Sequence, residues 1–185
     1  YHSLLSSVMQ SRVIAMDETP IKAGRVEPGK MKTAYFWPIY GDNDEVAFPF
    51  STSRAHGTVR EVLGRFAGTL LTDGYEAYSR YAEREKSVVH ALCWAHTRRK
   101  FVEAEESHPE EVGVALSIIR ELYEIEASLE GKDRAAKIEI RSLQSREVVD
   151  EFFDWAEDLL LSKLLLSSDP LTKALSYALE RQRGL

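Results

Sequence analysis

A single cysteine, Cys93, stands in 185 residues. That excludes an internal disulfide framework and suits a reducing cytoplasm. The opening stretch, Tyr1 to Val8, has no basic segment and is too short for a secretory core with its cleavage site. The chain opens on Tyr1 rather than Met, so a piece of a longer protein is expected. Long hydrophobic runs are missing as well. The most apolar one, Leu159 to Leu166, has six leucines in eight residues, but Ser162 and Lys163 interrupt it and Asp154, Glu157 and Asp158 precede it. It is too short and too charged to span a bilayer and reads as a buried helix, so no membrane partner is expected. Excess positive charge is also lacking: the net charge is −6, which argues against a general nucleic-acid binder. The deficit is uneven. Residues 1–104 carry 14 Lys and Arg against 12 Asp and Glu, whereas residues 105–185 carry 10 against 18. With 44% hydrophobic and 29% charged residues, the composition is that of a folded chain rather than a disordered one.

The first half reads as strands with a few helices. Val13 to Asp17 is the first strand. Thr33 to Tyr40 and Val46 to Ser51 form a hairpin across the polar turn Gly41-Asp42-Asn43-Asp44. Pro38 and Pro49 each remove a ladder donor, so they belong at bulges, ends or an edge. Thr58 with Glu61 fits a capping box ahead of a helix carrying Val59, Val62, Leu63 and Phe66. Leu70 to Thr72 and Val88 to Cys93 are two further strands, with short helices at Tyr75 to Glu83 and Thr97 to Glu106. This order predicts an α/β fold, a mixed five-stranded sheet with helices on its faces. From Pro109 the period becomes helical throughout. Pro109 suits a first helical position, with Glu110 and Glu111 near the positive end of the dipole. Val112, Leu116, Ile119 and Tyr123 keep one face apolar, and Gly131-Lys132-Asp133 breaks the helix. Ser145 can cap a second long helix with Phe152, Trp155, Leu159 and Leu166, and Asp169-Pro170 opens a last one with Leu171, Leu175 and Leu179. The expected domains are thus 1–108, an α/β core, and 109–185, an all-α region.

Two carboxylates stand out. Asp17 and Asp73 each end an apolar, strand-like run. A carboxylate at the tip of a buried strand is held rigidly with water on one side. Two on neighbouring strands can hold a divalent cation, and a pair of such cations can run phosphoryl chemistry. Each alone reads equally as a turn residue, and Asp73-Gly74 is a turn signal.

Three segments carry a resemblance: Asp17-Glu18-Thr19-Pro20, Thr72-Asp73-Gly74-Tyr75-Glu76-Ala77-Tyr78 and Cys93-Trp94-Ala95-His96-Thr97-Arg98-Arg99-Lys100-Phe101. In order and separation they resemble the motif series of the insertion sequence 66 family of bacterial transposases. The segment Leu171 to Leu179 is similar to the stretch shortly before that family's third catalytic position. The resemblance implies a ribonuclease H-like fold and an Asp-Asp-Glu triad, with Asp17 and Asp73 as the first two catalytic and metal-binding acids for Mg2+ or Mn2+. It implies DNA as the partner, both transposon ends and target, a homo-oligomer in the active complex, and a bacterial cytoplasm with the nucleoid as the place of action. It also implies that much of the helical stretch after residue 109 is an insertion. The family's third acid lies in an Asn-x-x-Glu-Arg motif that would fall beyond Leu185, so this segment is expected to hold two of three acids and to be inactive alone. Glu180 lies before that place and reads as a solvated helix residue.

Several residues keep two readings. Cys93 and His96 are a motif flanking the catalytic sheet, or a small buried residue and a helix-start histidine; a lone Cys-x-x-His lacks the four ligands zinc wants. Arg98, Arg99 and Lys100 can hold DNA phosphates, or form a solvated face paired with Glu103 and Glu105. Glu18 and Thr19 shape the metal site from behind its ligands, or serve as a cap or turn. Trp37, Trp94 and Trp155 read as core. Against the transposase stand a nuclease or resolvase of the same fold, and a non-catalytic interaction module working through its acidic helical half.

Overall fold

The computed structural model describes residues 2–27, 30–162 and 165–185. Its contacts divide into two packed units, Tyr1–Cys93 with Gly184 and Trp94–Arg183 with Leu185. Each unit has its own hydrophobic core.

In the first unit, helix α1 (His2–Val8) precedes strand β1 (Val13–Met16). Alternation turns Ile14 and Met16 inward and leaves Val13 exposed. Strands β2 (Thr19–Glu27), β3 (Lys30–Phe36), β4 (Ile39–Tyr40), β5 (Val46–Ala47) and β6 (Phe50–Ser51) follow, then helix α2 (His56–Leu63), β7 (Gly68–Thr72), α3 (Glu76–Arg84) and β8 (Val88–Leu92). The main sheet has the order β5-β4-β1-β7-β8. β1 pairs antiparallel with β4 and parallel with β7, and β7 pairs parallel with β8. Parallel neighbours need crossover connections, and α2 and α3 supply chain of the required length and kind. Ile14, Ile39, Leu70, Trp37 and Tyr78 pack with Val59, Leu63 and Phe66 of the α2 segment into the core. The mixed five-stranded sheet with helices is therefore as the residue pattern predicts.

The prolines act more sharply than expected. The structure cuts both expected hairpin strands, Thr33 to Tyr40 and Val46 to Ser51, at Pro38 and Pro49. β4 and β5 stay in the main sheet, while β3 and β6 join a separate three-stranded sheet, β2-β3-β6. A proline cannot donate to the ladder, so a strand keeps one only where no partner needs that donor, as Pro20 does in the edge strand β2. The corner is closed by the Trp37 amide donating to the Pro49 carbonyl at 2.8 Å. Nothing in the period-two pattern announces β2. Pro20 and a bulge at Gly24, which has a positive φ, disguise it. The Thr58–Glu61 capping box does not form. α2 begins three residues earlier, at His56 with Ala55 before it, and the Thr58 hydroxyl donates to the Ser53 carbonyl at 3.3 Å.

The second unit is helical: α4 (Trp94–Val102), α5 (Pro109–Ser128), α6 (Arg134–Ile140), α7 (Arg146–Ser162) and α8 (Pro170–Leu179). Pro109 is at the first helical position of α5. Asp169 caps α8 by accepting from the Leu171 amide at 2.8 Å, as a helix-start carboxylate should. Ser145 does not cap α7. It ends a π-helical turn, 141–145, that carries the chain from α6 into α7 without a break. On α5 the inward positions are Val112, Ala115, Ile118 and Ile119, and Tyr123 turns to solvent. The Leu159 to Leu166 run is not one buried helix. Leu161, in α7, and Leu166 are exposed, and Lys163 and Leu164 lie outside the described residues. Phe152 centres this core, with ring centroids 5.1 Å from Trp94, 5.3 Å from Phe153 and 5.7 Å from Phe101. All three rings meet it nearly edge-on, the arrangement aromatic quadrupoles favour. No described helix is long and apolar enough to cross a membrane.

Candidate metal centre

β1 and β7 run side by side in the register Val13↔Thr69, Ile14↔Leu70 and Ala15↔Leu71. Continued by two residues, that register sets position 17 level with position 73, on the same face of the sheet. Parallel strands with matched ends thus deliver Asp17 and Asp73 to one place. Glu18 joins them: one carboxylate oxygen from each of Asp17, Glu18 and Asp73 lies within 4.8 Å of the others.

Backbone groups hold these acids in place. The Glu18 amide donates to Asp17 Oδ1 at 2.8 Å, and the Tyr75 amide donates to Asp73 Oδ1 at 2.8 Å. Gly74 makes the turn that allows the second bond, with a positive φ that glycine adopts at little cost. Three carboxylates this close repel one another, and part of that charge is balanced from within the protein. Glu18 Oε1 accepts from Arg54 Nε at 2.8 Å and also pairs with Arg54 Nη2, while Glu18 Oε2 accepts from the Tyr78 hydroxyl at 2.7 Å. Only 3% of the Glu18 side chain is exposed. Burial, then the neighbouring Glu18 carboxylate, pushes the Tyr78 phenol far above its ordinary range, so it stays a donor. Arg54 also lies 4.2 Å over the Tyr75 ring, and the Tyr75 hydroxyl donates to the Arg54 carbonyl at 3.0 Å. A guanidinium so placed is attracted by the face of the ring. Arg54 is not legible in the sequence as a site residue, and Tyr78, although it lies in the motif segment Thr72 to Tyr78, carries no sign there of its bond to Glu18. They stand 36 and 60 residues from Glu18, and no local pattern signals such a pairing.

His90 lies behind Asp73. Its Nε2 is 2.8 Å from the Thr72 hydroxyl, which accepts from the Gly74 amide at 3.2 Å. Burial lowers the His90 pKa below 6.5, against the opposing pull of Asp73. The unfolded chain then takes up a proton that the folded chain resists, so stability holds above about pH 6.5 and declines as pH falls below it. Urea unfolding at about pH 7.5 and about pH 5.5 should show a lower midpoint at the acid value. In His90→Gln that part of the pH dependence should vanish.

Of the other sequence candidates, Cys93 belongs to the first unit and His96, Arg98, Arg99, Lys100 and Glu180 to the helical one. Cys93 closes the first unit, its amide donating to the Thr72 carbonyl at 3.0 Å and its thiol half-buried. His96 lies in the first turn of α4, in the helical unit. Arg98 and Arg99 are exposed on α4, and Lys100 pairs with Glu103 at 2.8 Å. Glu180 is at the C-terminal end of α8, with its carboxylate toward solvent.

The fold and site define an α/β protein with a carboxylate cluster at the ends of adjacent parallel strands. The chain belongs to the IS66 family of transposases, whose family model, Transposase IS66 family, matches residues 1–185. Among curated proteins it is similar to the uncharacterized proteins y4qI and y4jD of Sinorhizobium fredii strain NGR234. The first is 28% identical over 98% of this chain and 36% of its own length. The second is 31% identical over 100% of this chain and 39% of its own length. The chain thus spans well under half the length of these relatives. No solved structure matches it.

Proposed function

We propose that this chain carries the catalytic core of a metal-dependent DNA transposase, which in the whole protein cleaves phosphodiesters at transposon ends and joins them to target DNA. The observation that carries the reading is the meeting of Asp17, Glu18 and Asp73 at the tips of β1 and β7. The strand order β5-β4-β1-β7-β8, with the first three antiparallel and the last three parallel, supports a ribonuclease H-like fold.

The donor set fits Mg2+ or Mn2+: hard carboxylate oxygens, fixed by strand ends, with open solvent for the waters these ions keep. A divalent cation bound here would polarise a phosphodiester and lower the pKa of an attacking hydroxyl. Asp17 and Asp73 are the ligands in this reading. Glu18 is held back by Arg54 and Tyr78 and sets the position of Asp17 through the chain it shares. Asp17 is the more exposed of the two aspartates and so the more open to a second ion.

Adding Mn2+ should raise the melting temperature of the chain, because an ion that binds only the folded state stabilises it by mass action. Asp73→Asn should remove the shift, and calorimetry should lose the binding heat in parallel. No heat in the parent chain would sink the proposal. Strand-joining assays on the full-length protein separate a transposase from a nuclease that only cuts.

A further inference from the structure

A cavity of about 250 Å³ lies between α2 and α3 in the sheet unit. Arg60 of α2 and Arg80 and Arg84 of α3 line it, with His56 at the start of α2. Arg80 and Arg84 are one helical turn apart and so share a face. Among the described residues the lining holds one carboxylate, Glu85, against three guanidiniums. Glu76 already pairs with Arg80 at 2.6 Å. In a chain of net charge −6 this is a local concentration of positive charge, crowded into one concavity. Like charges held together favour an anion between them, and the guanidinium fork matches phosphate oxygens two at a time.

We infer that this cavity is a phosphate subsite for the backbone of a polynucleotide, placed to hold DNA beside the acid cluster. This rests on the transposase reading of that cluster. Tyr75 links the two places. Its amide donates to Asp73, and its ring stacks on His56 with centroids 6.4 Å apart and planes 14° apart. From Glu76 to Arg84 the helix advances about 12 Å at about 1.5 Å per residue. α3 starts three residues after Asp73, and its residues Ala77, Arg80, Tyr81 and Arg84 line the cavity, so the acid cluster and the cavity are served by one continuous stretch of chain. Three of the polar groups that line it, Arg60, Arg80 and Arg84, are guanidiniums suited to phosphate. Tyr81 is buried, with its hydroxyl turned to the Gly64 carbonyl, so it offers no open ring face for a base. The contact therefore positions DNA without reading sequence.

The test is anisotropy of a labelled duplex with the 185-residue chain in EDTA, over a salt series. Arg60 and Arg84 are both at the surface, so Arg60→Ala/Arg84→Ala should fold normally, as its melting temperature will show. It should bind on the order of tenfold more weakly at about 100 mM salt, with the log–log salt slope shallower by about 1.8, or about 0.9 per lost phosphate contact. Arg60→Lys/Arg84→Lys keeps the charges and should restore the slope. Unchanged affinity and slope in the alanine variant would overturn the inference. So would inorganic phosphate or a mononucleotide binding the parent chain as tightly as the duplex does. Mn2+ calorimetry on the same proteins reports on Asp17 and Asp73 separately, so failure here and failure of the metal-centre reading are told apart.

Discussion

On the proposed transposase function, Asp17→Asn in the full-length protein should reduce DNA cleavage and strand joining by about a thousandfold or more. A bound cation contributes several kcal/mol of transition-state stabilisation. Each step of about 1.36 kcal/mol is tenfold in rate, so losing about 4 kcal/mol gives the expected drop. The amide keeps the shape of the carboxylate and one acceptor oxygen, so the Glu18 amide can still find its partner. Stability should move the other way. Three carboxylates meet within 4.8 Å, and removing one relieves repulsion in the metal-free chain. The variant should therefore melt at the same temperature as the parent or higher when no divalent ion is present, and lower than the parent when Mn2+ is added. This opposite pair of shifts separates a lost ligand from a misfolded chain. Gel assays of cleavage, with melting curves in EDTA and in Mn2+, give both readouts. Cleavage within tenfold of the parent would remove Asp17 from the machinery.

The second large effect is structural. Phe152→Ala should destabilise the helical unit by about 3–5 kcal/mol, the range for emptying a buried aromatic site. Phe152 is fully buried and makes edge contacts with Trp94, Phe101 and Phe153. The hole it leaves is walled by rings that cannot collapse into it without leaving their own partners. Trp94 and Trp155, whose ring centroids are 5.1 and 5.9 Å from Phe152, should report the change as a red-shifted emission. Guanidinium unfolding followed by tryptophan fluorescence measures the loss. A cost under about 1 kcal/mol would mean that Phe152 is not the centre of this core.

How much of this is legible in the sequence follows from the range of the forces involved. β1, β7, β8 and the long helix α5 announce themselves because burial on one face imposes a local period, two in strands and about 3.6 in helices. Asp17 and Asp73 can be singled out because each ends such a run. That the two meet depends on the β1–β7 register, a pairing of segments far apart in the chain that no local period encodes. β2 is hidden because Pro20 and the Gly24 bulge break its alternation, and its partner β3 supplies the order instead. The Thr58–Glu61 and Ser145 caps fail for one reason. A cap motif names a residue that can start a helix, but packing of Val59 and Leu63 in one case and of Val148 and Phe152 in the other decides where the helix is already running. Glu18 shows the same limit at the site. Its neighbours in sequence suggest a turn, and its role depends on Arg54 and Tyr78 arriving from distant elements.

The two prolines that divert β3 and β6 also govern how one molecule meets another. An unpaired strand invites hydrogen bonding from any passing chain, and a long apolar one seeds aggregates. Here the outermost strand on that side of the main sheet is β5, only Val46 and Ala47 in length, stopped before Pro49. Exposed Phe48 and Phe50 flank that stop. A ladder so brief offers an intruder too few bonds to offset the order it would lose on docking. Pro49 thus protects a sticky aromatic rim, and the diverted strand keeps this border of the sheet from becoming a template for fibres.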